Sequence, residues 1–293
     1  MGYDKYFLSE SKLEINPETL GTIIKQALIE DIGRGDITTQ LTISKDKRIK
    51  AKIIAKENFL LCGIIVAEKV FKAVDPGIKF EQKIKEGSRV KAQKTIAVIS
   101  GKASSILMAE RVALNLLSLL SGIATKTDEF VKEIEPFKTK ITDTRKTIAG
   151  LRELQKYAVR VGGGHNHRIR LDEMVLIKDN HLKITNGYSK LPSVPNGFKI
   201  EIEAQNLEEF KHALYFKPDI IMLDNMEIRD VKEAVRIRNS TEFKSHHGLT
   251  KLEASGGIDL SNIKKYAATG VEIISVGELT DSVKSVDVSL DII

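Results

Sequence analysis

The chain has 293 residues, of which 42% are hydrophobic and 29% are charged. This balance is typical of a folded globular protein and excludes the disordered and fibrous classes. The formal net charge of +6 favours anionic partners, either nucleic acid or a small substrate rich in phosphate or carboxylate. Because the basic residues are scattered and aromatic residues make up only 5%, the composition argues against nucleic acid.

The first residues, 1–6, lack the basic and then apolar pattern of a signal peptide, and no uninterrupted apolar run reaches the ~20 residues that cross a bilayer. We therefore expect a cytoplasmic protein with no membrane partner. The single cysteine, Cys62, excludes an internal disulfide and lies in the apolar stretch 59–67, which predicts a core residue.

The amino-terminal part of the chain predicts an α+β module. Asn16 can cap a helix that begins at Pro17, carries an apolar stripe and ends near Gly33. Strand-like runs then follow at 49–55, 78–84 and 95–99, with glycines between them. Residues 1 to about 105 are expected to form a mixed module with an antiparallel sheet.

A long helix is predicted from Ser104 or Ser105 to about Leu120. It is apolar nearly all round, as in a buried helix. Its polar exceptions, Arg111, Asn115 and Ser118, share one face. That face is either an edge turned to water or one that holds Arg111 toward a pocket or a partner subunit.

After Gly122 the pattern changes to strands alternating with helices. The predicted strands are 140–143, 174–177, 199–203, 219–223, 252–255 and 272–276, with a seventh candidate at 286–291. The predicted helices are 149–157, 207–215, 227–239 and 262–269. Continuous aliphatic strands indicate a parallel sheet covered on both faces. An open α/β barrel is favoured over a doubly wound sheet because polar or glycine-rich groups follow every strand.

A barrel gathers its strand ends at one mouth, where such enzymes place their sites. The predicted mouth has cations, acids and glycine-rich turns: Arg145, Lys146, His165, His167, Arg168, Lys178, Glu203, Asp224, Ser255, Gly256, Gly257, Ser275 and Gly277. Two separate arginines suggest two acidic groups on a ligand, because each guanidinium can bind one bidentately.

Other features of the mouth leave alternatives open. Glu203 and Asp224 could hold a divalent cation or two ribose hydroxyls. The segment 255–257 before a helix is a phosphate signal, whereas Gly277 alone is a weak one. A zinc site in the loop 161–167 is not expected, since it has two imidazoles and no cysteine. His246 and His247 are predicted to lie in an exposed loop.

The sequence resembles the quinolinate phosphoribosyltransferase family nearly end to end. The most specific motifs lie between Thr144 and His181: TRKT at 144–147, GLR at 150–152, KYAV at 156–159, GGGHNHR at 162–168 and VLIKDNH at 175–181. Further motifs are EDIGRGDITT at 30–39, ERVALN at 110–115, SGIAT at 121–125, LDNM at 223–226, EASGG at 253–257 and ISVG at 274–277.

The resemblance implies an α+β sandwich domain over residues 1–112, joined by the tail 278–293, and an incomplete, open α/β barrel over 113–277. It implies a homodimer with sites shared between subunits, in which one sandwich domain covers the other subunit's barrel, or a hexamer. The reaction it implies joins quinolinate to phosphoribosyl pyrophosphate with magnesium. The products are nicotinate mononucleotide, pyrophosphate and carbon dioxide, in NAD biosynthesis.

The resemblance also implies roles for individual residues. Those that hold the two carboxylates of quinolinate are Arg145, His167, Arg168, Lys178 and, from the partner subunit, Arg111. Lys146 lies near the pyrophosphate, with Thr144 beside it among the substrate-binding residues. Glu203 and Asp224 face the ribose and the metal. The phosphate-holding loops contain Ser255, Gly256, Gly257 and Gly277, and Ser275 is among the substrate-binding residues.

The sequence departs from the family pattern at two places. Ile148 and Ala149 stand where the family commonly has Thr-Pro, which leaves the start of the next helix less fixed. Asp281 stands where a histidine often follows Leu-Thr; an acid beside a phosphate would repel it, so Asp281 is expected to point away. The rival interpretation within the fold is a paralogous enzyme, such as the molybdate-operon relatives, that acts on another acid.

Overall fold

A computed structural model describes residues 15–185, 197–240 and 250–293. The predicted loop around His246 and His247 lies outside these ranges. The described residues form two compact units. We call them the antiparallel unit (residues 15–128, 147–163 and 279–293) and the parallel unit (residues 129–146, 164–185, 197–240 and 250–278).

The antiparallel unit has a four-stranded antiparallel sheet in the order β12-β1-β5-β3 and a separate pair, β2-β4. Its strands are β1 (Arg48–Ala55), β2 (Phe59–Leu60), β3 (Lys79–Gln82), β4 (Arg89–Val90), β5 (Thr95–Lys102) and β12 (Val288–Ile292). Its helices are α1 (Pro17–Ile32), α2 (Ile37–Thr42), α3 (Ile64–Val74), α4 (Ala103–Glu133, of which 129–133 belong to the parallel unit), α5 (Arg152–Val161) and α10 (Glu278–Asp281, of which Glu278 belongs to the parallel unit). The predicted antiparallel sheet is confirmed.

Helix α1 forms as its sequence predicts. The side chain of Asn16 accepts hydrogen bonds from the amides of Glu18 and Thr19, at 2.9 and 3.1 Å, which satisfies amide groups that have no partner within the helix. Its buried face contains Leu20, Ile23 and Ile24.

Helix α3 was not predicted. The amides of Gly63 and Ile64 donate to the carboxylate of Glu86, 2.6 and 3.0 Å away, so the residue that caps this helix lies 22 positions further on. Such a distant cap leaves no local start signal. Cys62 is a buried core residue, as predicted.

Helix α4 is longer than predicted, because it continues past Gly122 to Glu133. A glycine fits here because a Cβ at position 122 would lie 2.3 Å from the carbonyl oxygen of Lys284. By length and composition α4 could cross a membrane, but 61% of its apolar window is buried inside the protein, as in the core helix of a water-soluble protein. On its polar face, Arg111 and Asn115 are exposed, whereas the Ser118 hydroxyl donates to the carbonyl of Val286.

The last strand, β12, is not a seventh strand of the parallel sheet. It pairs antiparallel with β1, with Ala51 opposite Ile292 and Ala55 opposite Val288. The tail of the chain therefore belongs to the antiparallel unit, and the interpretation of 286–291 as a barrel strand was wrong. The return of the tail agrees with what the family resemblance implies.

The parallel unit has six parallel strands in the order β6-β11-β10-β9-β8-β7. Its strands are β6 (Lys140–Thr142), β7 (Val175–Ile177), β8 (Ile200–Ala204), β9 (Ile220–Asp224), β10 (Lys251–Ser255) and β11 (Ile273–Ser275). Its helices are α6 (Asp179–Thr185), α7 (Leu207–Tyr215), α8 (Ile228–Arg238) and α9 (Ile263–Ala267). The strand order is cyclic and open between β6 and β7, which confirms the predicted α/β class.

The register of this sheet places its polar residues on one face. Glu203 and Glu253 each lie opposite Met222 on β9, and Glu201 lies two residues before Glu203 on the same strand. Because residues two apart on a strand share a face, all three acids point the same way. Met174, Ile220 and Ile273 form an apolar cluster among the buried residues of the unit.

Candidate active site

The carboxyl edge of the parallel sheet carries a row of polar residues. Thr142 lies opposite Ser275, Ser275 opposite Ser255, and Ser255 opposite Asp224, so four neighbouring strands each contribute one oxygen-bearing side chain. The strand ends therefore share one edge, where the sequence predicted the site.

Asp143, which follows β6, holds the loop that carries His167 and Arg168. The backbone amide of His167 donates to one carboxylate oxygen of Asp143 (2.9 Å), and Asn166 Nδ2 donates to the other (2.6 Å). The loop also pairs with β6 directly, because the amide of His165 donates to the carbonyl of Ile141 at 2.8 Å. Asp143 is fully buried. Asp143 therefore fixes the backbone from which the side chains of His167 and Arg168 extend.

The imidazole of His167 lies between two buried carboxylates. Its Nε2 atom is 2.9 Å from Glu201 Oε2 and 3.7 Å from Glu253 Oε1. Glu253 also accepts a short hydrogen bond from the hydroxyl of Ser275, and Ser275 Oγ lies 2.9 Å from Thr142 Oγ1. We call these five residues the His167 network. It links β6, β8, β10 and β11 to the loop.

The electrostatics of the His167 network are those of crowded, buried acids. Burial and the charge of Glu201 raise the pKa of Glu253 to about 7, and His167 partly opposes this effect. Glu201 Oε1 and Glu253 Oε2 are both buried without a hydrogen-bond partner among the described residues. Since unpaired buried oxygens are costly, the burial of these two carboxyl groups is unfavourable.

Arg168 is buried and lies close to a second arginine. Its Nη1 donates to the carbonyl of Met174 at 3.0 Å. Burial and the positive charge of Arg145 lower the pKa of Arg168, while Glu201 raises it. A bound carboxylate or phosphate would offset both charges, so the two guanidinium groups are a candidate site for an anion.

Lys178 and Glu203 form an ion pair at the same edge. Lys178 Nζ lies 2.9 Å from Glu203 Oε2, and the Glu203 side chain is only 5% exposed. The backbone amide of Lys178 donates to His181 Nδ1 (2.9 Å), which holds the turn into α6. The pair places a positive and a negative group side by side at the mouth.

The glycine-rich turn after β10 is shaped by Asn225. Gly256 has φ +88°, and a Cβ there would lie 2.2 Å from Asn225 Oδ1. The amide of Asn225 donates to the carbonyl of Ser255 at 2.8 Å, and Asn225 Nδ2 donates to Asp224 Oδ2 at 2.8 Å. The turn thus brings the backbone near Gly257, which is exposed, to the edge beside Asp224.

The remaining predicted site residues follow strands of the parallel sheet, except for Arg111. Thr144 and Arg145 are half-buried and Lys146 is exposed; the amide of Lys146 donates to Thr144 Oγ1 at 3.0 Å. Gly277 is half-buried after β11. Arg111 belongs to the antiparallel unit and is therefore not one of the residues at the edge of the parallel sheet.

Two groups of side chains bear on metal binding. Glu203 and Asp224, the predicted pair, offer carboxylate oxygens, although Glu203 is already paired with Lys178. His167, Glu201 and Glu253 have ligand atoms within 4.8 Å of one another. In this second group, Glu201 Oε2 and Glu253 Oε1 are the carboxylate oxygens that approach His167 Nε2, at 2.9 and 3.7 Å.

Sequence reasoning did not assign a role to Asp143, Glu201 or Glu253. The available signal for Glu201 was alternation, because Ile-Glu-Ile-Glu in β8 places both glutamates on one face of a buried strand. The signal for Glu253 was an acid between two apolar residues of the strand, Leu252 and Ala254. The contacts of Asp143 depend on a loop more than twenty residues away and leave no local pattern.

An open parallel α/β sheet with two arginines, a lysine, acids and a glycine-rich turn at its carboxyl edge defines an enzyme for substrates that carry carboxylate and phosphate groups. Known proteins narrow this class. Residues 36–121 match the model of the quinolinate phosphoribosyl transferase N-terminal domain, and residues 123–291 match that of the C-terminal domain. The chain belongs to the quinolinate phosphoribosyl transferase family.

Individual relatives are similar to this chain in sequence over nearly its whole length. A probable nicotinate-nucleotide pyrophosphorylase (carboxylating) of Methanocaldococcus jannaschii is 43% identical over 92% of this chain and 96% of its own length. A protein of the same name from Synechocystis is 39% identical over 92% and 91%. The structure of the nicotinate-nucleotide pyrophosphorylase from Francisella tularensis superposes with a TM-score of 0.87 at 40% identity, covering 96% of this chain and 98% of that chain.

Proposed function

We propose that this protein transfers the phosphoribosyl group of phosphoribosyl pyrophosphate to the ring nitrogen of quinolinate. The carboxylate next to that nitrogen leaves as carbon dioxide, and the products are nicotinate mononucleotide and pyrophosphate. This step belongs to NAD biosynthesis, and we expect it in the cytoplasm. The single observation that carries the proposal is the pair of neighbouring arginines, Arg145 and Arg168, with Lys178 at the same sheet edge.

Quinolinate is a dianion, and its two adjacent carboxylates need two sets of donors. Arg168 is held by the Met174 carbonyl and lies close enough to Arg145 for their charges to interact. A dicarboxylate bound between them would relieve that repulsion and satisfy the buried Nε of Arg168, which has no partner among the described residues. Lys178 adds positive charge to the same half of the site, and His167 adds an imidazole.

The acids at the edge suit the ribosyl half. As the bond to pyrophosphate breaks, the ribose carbon gains positive character, which Glu203 and Asp224 stabilise through their charge. Lys146 offsets charge on the departing pyrophosphate, and the exposed backbone around Gly257 suits its phosphates. Once the ring nitrogen is bonded to ribose, it withdraws electrons from the adjacent carbon. The bond between that carbon and its carboxylate breaks, carbon dioxide leaves, and the electron pair that stays on the ring carbon takes up a proton from solvent.

Magnesium fits the donor set at this edge. Magnesium is commonly bound by one or two carboxylates together with substrate phosphates, and Glu203 and Asp224 would supply the carboxylates. When bound, the ion neutralises negative charge on the pyrophosphate.

The proposal includes a dimer with shared sites. Arg111 and Asn115 are exposed on α4, on a helix that is otherwise largely buried, so a positive group is presented on the surface of the antiparallel unit. In a symmetric dimer, Arg111 would reach the site of the partner subunit.

Arg111→Ala and Arg145→Ala should each be nearly inactive alone. After subunit exchange, a mixed dimer has one intact site, so activity should recover to about a quarter of wild type. Confirmed mixed dimers without recovery would contradict sharing.

A substrate panel separates the proposed enzyme from a paralogue that acts on another acid. We expect phosphoribosyl pyrophosphate to be consumed with quinolinate but not with nicotinate or picolinate, each of which has one carboxylate. Pyrophosphate release measures consumption. Equal or better turnover with a monocarboxylate would contradict the assignment of both arginines to one dicarboxylate.

A further inference from the structure

The hydroxyl of Ser275 is turned inward rather than toward the open edge. Ser275 is 3% exposed; its hydroxyl donates to Glu253 Oε1 and lies 2.9 Å from Thr142 Oγ1. A serine hydroxyl has one proton to donate, and here that proton is directed at a buried carboxylate. Ser255, its neighbour in the same row, is half-exposed and has the position from which a hydroxyl could meet a phosphate.

Glu253 lies between Ser275 and His167 and contacts both. The carboxylate of Glu253 is fully buried, and its Oε1 lies 3.7 Å from His167 Nε2, while Glu201 Oε2 approaches the same nitrogen to 2.9 Å. Two carboxyl groups beside one imidazole nitrogen restrict the orientation of the ring. The ring is thereby oriented by groups that the ligand does not touch.

We infer that Ser275, Glu253 and Glu201 are positioning residues for His167 and serve the quinolinate half of the site, so that Ser275 does not bind phosphate. The inference rests on the proposed function, in which His167 contacts quinolinate. It changes the expected role of Ser275, which the family resemblance had placed among the substrate-binding residues.

Steady-state kinetics with both substrates varied separates the two roles. Ser275→Ala and Glu253→Gln should raise the KM for quinolinate about tenfold, as expected for weakening one charge-assisted contact, and leave the KM for phosphoribosyl pyrophosphate within about twofold. Ser255→Ala is the matched control and should raise the KM for phosphoribosyl pyrophosphate instead. Ser275→Thr keeps the hydroxyl and should restore most of the quinolinate affinity.

A second measurement tests whether Ser275 acts through His167. In a His167→Ala background, Ser275→Ala should change the KM for quinolinate by less than about twofold, because its effect has already been lost. If Ser275→Ala does not fold, calorimetric binding of quinolinate to folded Glu253→Gln replaces it, and a loss of affinity is expected.

The opposite result would overturn the inference: a raised KM for phosphoribosyl pyrophosphate with unchanged quinolinate affinity in Ser275→Ala, unchanged quinolinate binding in Glu253→Gln, or full additivity with His167→Ala. Failure of the proposed function is distinguishable, since the wild-type protein would then show no turnover that depends on quinolinate.

Discussion

Lys178 Nζ lies 2.9 Å from Glu203 Oε2, which joins a residue assigned to quinolinate to one assigned to ribose and metal. The two proposed halves of the site therefore meet at this point, and we expect them to be coupled. The binding of a carboxylate to Lys178 would weaken its hold on Glu203 and leave that acid freer to act on the ribose.

A double-mutant cycle on Lys178→Ala and Glu203→Gln tests this coupling. We expect an interaction free energy of about 0.5–3 kcal/mol in kcat/KM, because removing Lys178 leaves Glu203 buried without its cation. The exposed pair Arg236 and Glu233, 2.5 Å apart on α8, is the matched control and should show about 0.5 kcal/mol or less. Full additivity at Lys178 and Glu203 would show that the two halves act independently.

Arg145→Lys and Arg168→Lys should each weaken quinolinate binding. A lysine keeps the charge but cannot present two fixed donors, so the cost should be about 1.5–3 kcal/mol, or roughly ten- to a hundredfold in affinity. Calorimetric titration with quinolinate measures it, and the exposed Arg229→Lys serves as the control. Near-normal quinolinate affinity in both variants would refute the assignment.

Gly256→Ala and Gly257→Ala compare the two neighbours in the phosphate turn. Both have positive φ, +88° and +61°, but only a Cβ at 256 would collide with Asn225, at 2.2 Å. Gly257→Ala should cost about 1–2 kcal/mol of strain, and Gly256→Ala clearly more. The free energy of unfolding in urea gives the comparison, together with the KM for phosphoribosyl pyrophosphate. Equal losses would mean that the contact with Asn225 does not shape the turn.

The raised pKa of Glu253, about 7, predicts a pH dependence of stability. Its folded pKa lies above its ordinary value of 4.5, so the stability it contributes is fully present below about pH 4.5 and is lost as pH rises through 7. Glu253→Gln should flatten the fall in unfolding free energy between pH 5 and pH 8, two values chosen to bracket that transition. Exposed Glu135→Gln should leave it unchanged. An identical slope in Glu253→Gln would show that Glu253 does not titrate there.

Much of the architecture was predictable from local pattern. Helix α1 has a cap, a proline and an apolar stripe within its own sequence, and the strands of the parallel sheet are short aliphatic runs followed by polar residues. Helix α3 was missed because its cap, Glu86, comes from a distant part of the chain. The sequence predicted too early an end for helix α4. Gly122 does not end the helix; it lies within it and leaves room for the carbonyl of Lys284.

The residues of the candidate site also divide into those that local sequence could predict and those that it could not. Arg145, Arg168, Lys178, Glu203 and Asp224 follow strands directly or belong to recognisable motifs, so the sequence could point to them. The partners of His167 come from β8 and β10, and the support of Ser275 for Glu253 crosses from β11 to β10. Such contacts depend on the register between strands, which no single segment encodes.

The most direct test of the central claim uses quinolinate labelled in the carboxylate adjacent to the ring nitrogen. With phosphoribosyl pyrophosphate and magnesium, the protein should release labelled carbon dioxide in a 1:1 ratio with pyrophosphate, as the proposed reaction requires, and none without phosphoribosyl pyrophosphate. Release of pyrophosphate with the label retained in the nucleotide product, or no reaction with quinolinate, would contradict the account.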